Sequence, residues 1–189
     1  KIEHWQKPSP TRSSYLAGLA YACHIEPDND RNSHYYGREL FYRGRYRSAL
    51  KELERHIAMN QWDRERSQSM VYIGDCRQAL GQDGVALKAW SKAFDMCGTR
   101  REPLMRLADY WYHKYDHHRA AAYAAAALEI ESDGFYGNTP SYYKHYPHEI
   151  LYWANWWLGR KGDAKRHWEL GLVIAPTHAK FLSDAQFFK

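Results

Sequence analysis

One arrangement of hydrophobic and small residues recurs along the chain. A small residue directly follows a large apolar one, a turn residue comes seven positions later, and an alanine comes five after that. Gly37 follows Tyr36 and leads to Gly44 and Ala49; Gly74 follows Ile73 and leads to Gly81 and Ala86. Ala108 follows Leu107 and leads to Ala120, with Tyr115 in place of the turn glycine. A fourth copy keeps Gly159 and Ala164 but has Tyr152 where the small residue belongs. Gly74 and Ala108 are 34 residues apart, a spacing that fits stacked helix hairpins.

Two antiparallel helices cannot bury their apolar faces alone, so each pair stacks on the next. Where paired helices cross most closely there is no room for a large side chain. Gly37, Gly74, Ala108 and the alanines at 49, 86, 120 and 164 fit those contacts, while Tyr46, Leu53, Trp90, Phe94 and Trp168 fill the wider gaps. Gly44, Gly81 and Gly159 stand where a first helix ends. Pro27 and Pro176 each stand just after a second helix, where the helix must stop. Residues 12–25 then form the second helix of a degenerate first repeat, and His178 to Phe188 form a capping helix. Two insertions interrupt the period: a longer loop around Asn60 to Glu65, and an aromatic loop from Ser132 to Pro147. Long ordered loops often carry function.

The string YYGRELFYRGRYRSALKEL, from Tyr35 to Leu53, resembles a tetratricopeptide (TPR) repeat, as do Tyr72 to Phe94 and Leu104 to Leu128. The resemblance covers nearly the whole chain. It implies an all-α fold, an α-α superhelix: a right-handed TPR-like solenoid of helix hairpins with a C-terminal capping helix, over residues 12–189. A narrower resemblance is carried by the order RELFYRGRYRSALKELERHI, QWDRERSQSMVYIGDCRQALG, REPLMRLADYWY and then the aromatic loop. It is similar to the helical tail that follows the GT-A catalytic domain in certain family 2 glycosyltransferases. Lys1 to Lys7, KIEHWQK, resembles the closing segment of such a domain, so residues 1–11 read as an N-terminal tail. The chain starts at Lys1 and not at Met, and is expected to be a piece of something longer. The resemblance places any nucleotide-sugar site upstream.

Composition narrows the picture further. Aromatic residues reach 16%, with 16 Tyr and 8 Trp, which demands large inter-helix contacts or an aromatic-lined groove. No window approaches the apolar length needed to span a membrane, and the expected location is cytoplasmic. Cys23, Cys76 and Cys97 are odd in number and widely spaced, so they read as buried thiols, not a disulfide framework or zinc site. The net charge of +5 permits an acidic partner without requiring one.

No catalytic, cofactor or metal motif emerges. Asp28-Asn29-Asp30 has the DxD form that holds a metal and a sugar diphosphate in GT-A enzymes, but it precedes a helix, where Asp30 reads as an N-cap. His113, His117 and His118 are the densest histidine group, and the repeat register splits them across a turn. A solvated cluster is the plain reading and a metal site the sharper one; His145 and His148 are treated alike. Arg43, Arg45, Arg47, Lys51 and Arg55 form a basic run that reads either as a helix face paired with Glu52 and Glu54 or as a nucleic-acid or anion patch.

In TPR arrays the first helix of each pair lines the concave side. By register, the first full repeat contributes His34, Arg38, Phe41 and Tyr42, and the second Val71, Asp75 and Gln78. The third contributes Met105, Asp109, Tyr112 and His113, and the fourth Glu149, Trp153 and Trp157. Such a groove suits an extended peptide or a helix, with aromatic anchors. It lacks the Lys and Asn with which some relatives clamp a C-terminal carboxylate, and Asp75 and Asp109 would repel one. The tryptophans at 153, 156 and 157 serve either this groove or the core beneath the capping helix. The expectation is a protein- or peptide-binding or assembly scaffold, self-association included. It would be the non-catalytic C-terminal module of a family 2 glycosyltransferase. The alternative is a nucleic-acid or anion binder.

Overall fold

The computed structural model describes residues 15–188. The expected tail at 1–11 and the start of the first helix at 12–14 lie outside them. Among the described residues every regular element is helical. The chain divides into two compact units, Lys1–Met96 and Cys97–Lys189.

The first unit holds α1 (Tyr15–Ile25), α2 (Asp30–Tyr42), α3 (Tyr46–Met59), α4 (Asp63–Ala79) and α5 (Asp83–Met96). α2 pairs with α3 and α4 with α5, while α1 packs on α2. Its core gathers Leu40, Phe41, Leu50, Leu53, Val71 and Ile73 around the fully buried Ala49 and Ala93. Two serines bridge helices through carbonyls: Ser33 Oγ donates to Glu52 O at 2.8 Å, and Ser67 Oγ to Ala93 O at 2.8 Å.

The second unit holds α6 (Arg101–His113), α7 (His117–Leu128), α8 (Tyr146–Trp157), α9 (Lys161–Ile174) and the short α10 (Ala179–Ser183). One 3-10 turn, Pro140–Tyr143, precedes α8, and another, Asp184–Phe187, follows α10. α6 pairs with α7 and α8 with α9. Ala108, Ala120 and Ala164 are fully buried, as the small-residue pattern requires.

All four hairpin turns share one closure. Gly44, Gly81 and Gly159 adopt φ of 70°, 75° and 75°, and Tyr115 adopts 59°. The next residue's N–H then reaches back to the helix, Arg45 to Leu40 O, Gln82 to Arg77 O, Asp116 to Trp111 O and Arg160 to Asn155 O. This is the glycine-type helix stop, and the tyrosine follows the same path.

Three expected boundaries are corrected. The insertion at Asn60 to Glu65 is no long loop: α3 ends at Met59 and α4 begins at Asp63, so the extra residues lengthen α4. Buried Asn60 pins the short link, donating to Asp30 at 2.6 Å and Glu65 at 3.1 Å and accepting from Trp62 N–H at 2.7 Å. The N-cap of α2 is Asn29, whose side chain accepts from Asn32 N–H, while Asp30 is the first helical residue. The capping helix is broken: α10 stops at Ser183 and the chain tightens into the 3-10 turn.

Candidate functional site

The first helices of the hairpins carry the expected binding face, but four of its residues point inward. His34, Phe41, Val71 and Met105 are buried and belong to the interior. His34 Nδ1 and His56 Nδ1 each lie 2.9 Å from Ser69 Oγ, so one hydroxyl joins both rings. Helical register assigns these residues to the groove, and their burial leaves them little surface to offer a ligand.

Other members of the first unit's face reach its surface. Arg38 is half-buried, with its guanidinium 4.8 Å from the centre of the Tyr35 ring. Tyr42 is exposed, and its hydroxyl meets that of Tyr72 from α4 at 3.0 Å. Burial, with help from Tyr42, pushes the Tyr72 phenol far above its ordinary range, so it stays a neutral donor and acceptor. Asp75 accepts from Trp90 Nε1 at 3.1 Å, and Gln78 is half-buried beyond it. The basic run is partly consumed within the unit: Arg43 pairs with Glu39 at 2.9 Å and Arg55 with Glu52 at 2.9 Å. Arg45, Arg47 and Lys51 are exposed.

In the second unit α6, α8 and the capping segment share a polar network. Asp109 of α6 accepts from the Tyr146 hydroxyl of α8. Burial raises the Asp109 carboxyl above the usual range, against the pull of Tyr146 and Arg106, and burial with Asp109 beside it drives Tyr146 upward. Lys180 of α10 donates to Glu149 Oε1 at 2.6 Å and lies over the Tyr112 ring at 5.7 Å. Burial opposes the charge on Lys180, yet Glu149 and Tyr112 outweigh it and hold its pKa above the ordinary value. The acidic side chains of the expected face are thus engaged within their own units. Asp75 and Asp109 each hold a donor, and Glu149 is covered by the capping segment.

The aromatic end divides between core and surface. Trp156 packs against Phe187 and Phe188, with Lys161 Nζ 3.2 Å from its ring centre. Trp153 and Trp157 stack at 6.5 Å with 21° between planes. Trp157 is 64% exposed. Trp153 Nε1 is buried and meets no hydrogen-bond acceptor among the described residues. His117 opens α7 and stacks on Trp157 at 6.0 Å, whereas His113 is exposed at the end of α6; the two are split across the turn as the register predicted.

The aromatic segment before α8 is ordered by buried charge. Arg101 donates to Tyr142 O at 3.0 Å and Leu128 O at 3.1 Å, and to Ile130 O besides. Glu102 accepts from Thr139 N–H at 2.6 Å and Tyr143 hydroxyl at 3.3 Å, with Arg100 at 3.2 Å. Burial pushes the Tyr143 phenol up to about 12, so it remains a donor at any physiological pH. The run Arg100-Arg101-Glu102 was the available sequence signal for this anchor; three adjacent charges opening a helix between apolar stretches need partners.

Sequence reasoning also missed the partners that Tyr152, Asp184 and His178 take. Tyr152 is fully buried and donates to Asp184 Oδ2 at 2.6 Å. His178 lies against His145, ring centres 4.6 Å apart. These partners come from the capping segment, which has no counterpart in the repeat. His148 meets His167 instead, Nδ1 to Nδ1 at 3.1 Å, and burial together with His167 lowers it to about 4.

No helix among the described residues is long and apolar enough to cross a membrane. No protein-family profile matches the chain, and no curated protein matches it. Solved structures do. It is similar to MamA, at 11% identity and a TM-score of 0.67, over 93% of this chain and 99% of that one. It is similar to PilF of Pseudomonas aeruginosa, at 13% identity and a TM-score of 0.70, over 94% and 75%. It is also similar to YrrB, a TPR protein with an unusual peptide-binding site, at 14% identity and a TM-score of 0.62, over 92% and 83%. At such identities the likeness establishes the fold: the chain is built of TPR-type helix hairpins.

Proposed function

We propose that the chain is a protein- or peptide-binding scaffold whose main contact is the aromatic face of α8. The observation that carries this reading is the Trp153–Trp157 stack. A largely exposed indole lies on a half-buried one whose N–H meets no acceptor among the described residues. Amphipathic aromatic side chains with an unused donor are the typical anchors of an interface. The nearby His117 ring extends the stack, and Phe187 borders Trp153 at 6.1 Å. YrrB, of similar fold, has a peptide-binding site, which supports a peptide as the ligand class.

The test is selection of peptides from a displayed random library on the intact chain, followed by fluorescence-polarisation titration. Selected peptides are expected to bind saturably, and Trp157→Ala to weaken them by about tenfold or more. Peptides that bind equally well to the Trp157→Ala and Trp153→Phe variants would move the site elsewhere.

The narrower placement rests on the sequence resemblance: the scaffold follows the GT-A domain of a family 2 glycosyltransferase and holds an acceptor or an assembly partner. Reading the parent open reading frame tests it. A GT-A domain before Lys1 supports the placement, and a start codon there with nothing upstream removes it.

A further inference from the structure

The capping segment brings together three metal-ligating side chains that the sequence keeps apart. His145 precedes α8 and Glu149 lies one turn further on, so the two share a face. His178 precedes α10. One ligand atom from each residue lies within 4.8 Å of the other two. Neither imidazole is used to cap the helix it precedes. His178 Nδ1 is buried and meets no hydrogen-bond partner among the described residues. A buried ring nitrogen without a partner is costly, and a metal ion satisfies it.

We propose that His145, Glu149 and His178 bind a divalent d-block cation, zinc foremost, which ties the capping segment to α8. Two imidazoles and one carboxylate suit zinc, nickel or ferrous ions and give too few oxygens for calcium or magnesium. Zinc holds such ligands at about 2.0–2.2 Å, so its ligand atoms stand about 3.3 Å from one another. Closing from within 4.8 Å to that distance takes shifts of the ligand atoms on the order of 1 Å, within reach of small rotations inside one rotamer well. Glu149 gives one oxygen to Lys180 at 2.6 Å and has a second to offer. The ammonium then orients the carboxylate from behind, as outer partners of metal ligands do. Its charge also opposes the incoming cation, so binding is weaker than at a closed four-ligand site. Three protein ligands leave a fourth position for water or a donor from a partner.

Calorimetric titration of zinc chloride into the intact chain at neutral pH tests this. One zinc per chain is expected, with no heat of binding from calcium or magnesium. His145→Ala and His178→Ala should each weaken zinc binding by about tenfold or more. A His113→Ala/His118→Ala control should bind as the parent does. Zinc should raise the melting temperature of the parent and leave that of the His145→Ala/His178→Ala variant unchanged. Should alanine compromise the fold, Glu149→Gln, which keeps the shape, should show the same loss. Absence of saturable one-to-one binding overturns the proposal, as does parent-like affinity in the double variant.

Discussion

Gly74 of α4 faces Trp90 of α5 so closely that a Cβ on the glycine would stand 2.2 Å from the indole Nε1 and 2.4 Å from Cδ1. Trp90 is 1% exposed and donates to Asp75, so it has nowhere to turn. Gly74→Ala is expected to destabilise the first unit by about 1–3 kcal/mol, the usual cost of overpacking. Gly84, in the first turn of α5, has nothing within 4 Å of its Cβ position. Gly84→Ala should therefore stabilise by roughly 0.5–1 kcal/mol through helix propensity. Urea unfolding of the two variants checks the opposite signs.

Tyr115 makes the helix stop that glycine makes in the other three hairpins, at φ 59°. A left-handed backbone costs a residue with a Cβ roughly 1–2 kcal/mol. The side chain recovers little, being 81% exposed. Tyr115→Gly should raise stability by about 1 kcal/mol, and Gly81→Ala, its mirror in the first unit, should lower it by a similar amount. Thermal melts of both variants decide the matter.

The hairpins were legible because their physics is local and repeated. Gly37 lies where a Cβ would meet Leu53 Cγ at 2.9 Å, and Gly74 where it would meet Trp90, so a small residue at that position reports a close crossing directly. The fourth hairpin shows the limit of this signal. Tyr152 occupies the small-residue position, fully buried, with its ring 5.5 Å from Phe181 and its hydroxyl on Asp184. The tight contact has moved to Gly171 on α9, where a Cβ would stand 2.3 Å from the Phe181 ring. Both changes answer to the capping segment, which occurs once and has no period to reveal it. Burial sets a second limit on the register, at the groove residues. A helix in a stacked array is covered on more than one side, so the register names the helix while burial separates Arg38 and Tyr42 from His34 and Phe41.

Stability should fall in mild acid, in part through His56. This ring is fully buried among Ser69, Glu65 at 3.9 Å from Nε2, the His34 ring at 4.9 Å, Asp30 and Arg66. Burial lowers its pKa below 6.5, although Glu65 and Asp30 pull the other way. The unfolded chain then binds the proton first as pH falls. The contribution of His56 is complete above the unfolded pKa and is lost as pH drops from about 6.5 toward the folded value. Chemical denaturation across that window should show stability rising with pH. His56→Gln, which cannot titrate, should flatten the slope relative to the parent whatever its effect on stability at neutral pH. An unchanged slope would show that His56 does not contribute.

Glu102 decides whether the aromatic segment before α8 stays in place. The carboxylate is 2% exposed and holds Thr139 N–H, the Tyr143 hydroxyl and Arg100 at once. Its removal leaves the fully buried Arg100 without this counter-charge and takes from the segment one of its links to α6, the contacts to Thr139 and Tyr143. Breaking a buried pair by deleting one partner typically costs about 3–5 kcal/mol, largely because the other charge remains in the interior. Glu102→Ala should destabilise the second unit by that order. Glu102→Gln keeps the shape and an acceptor but loses the charge, and should cost less. The local readout is proteolysis: Tyr136, Tyr142 and Tyr143 should become chymotrypsin-sensitive in Glu102→Ala under conditions where the parent is resistant. Equal cleavage rates in the two proteins would show that Arg101, through its contacts to Tyr142 O and the Tyr143 hydroxyl, is enough to hold the segment.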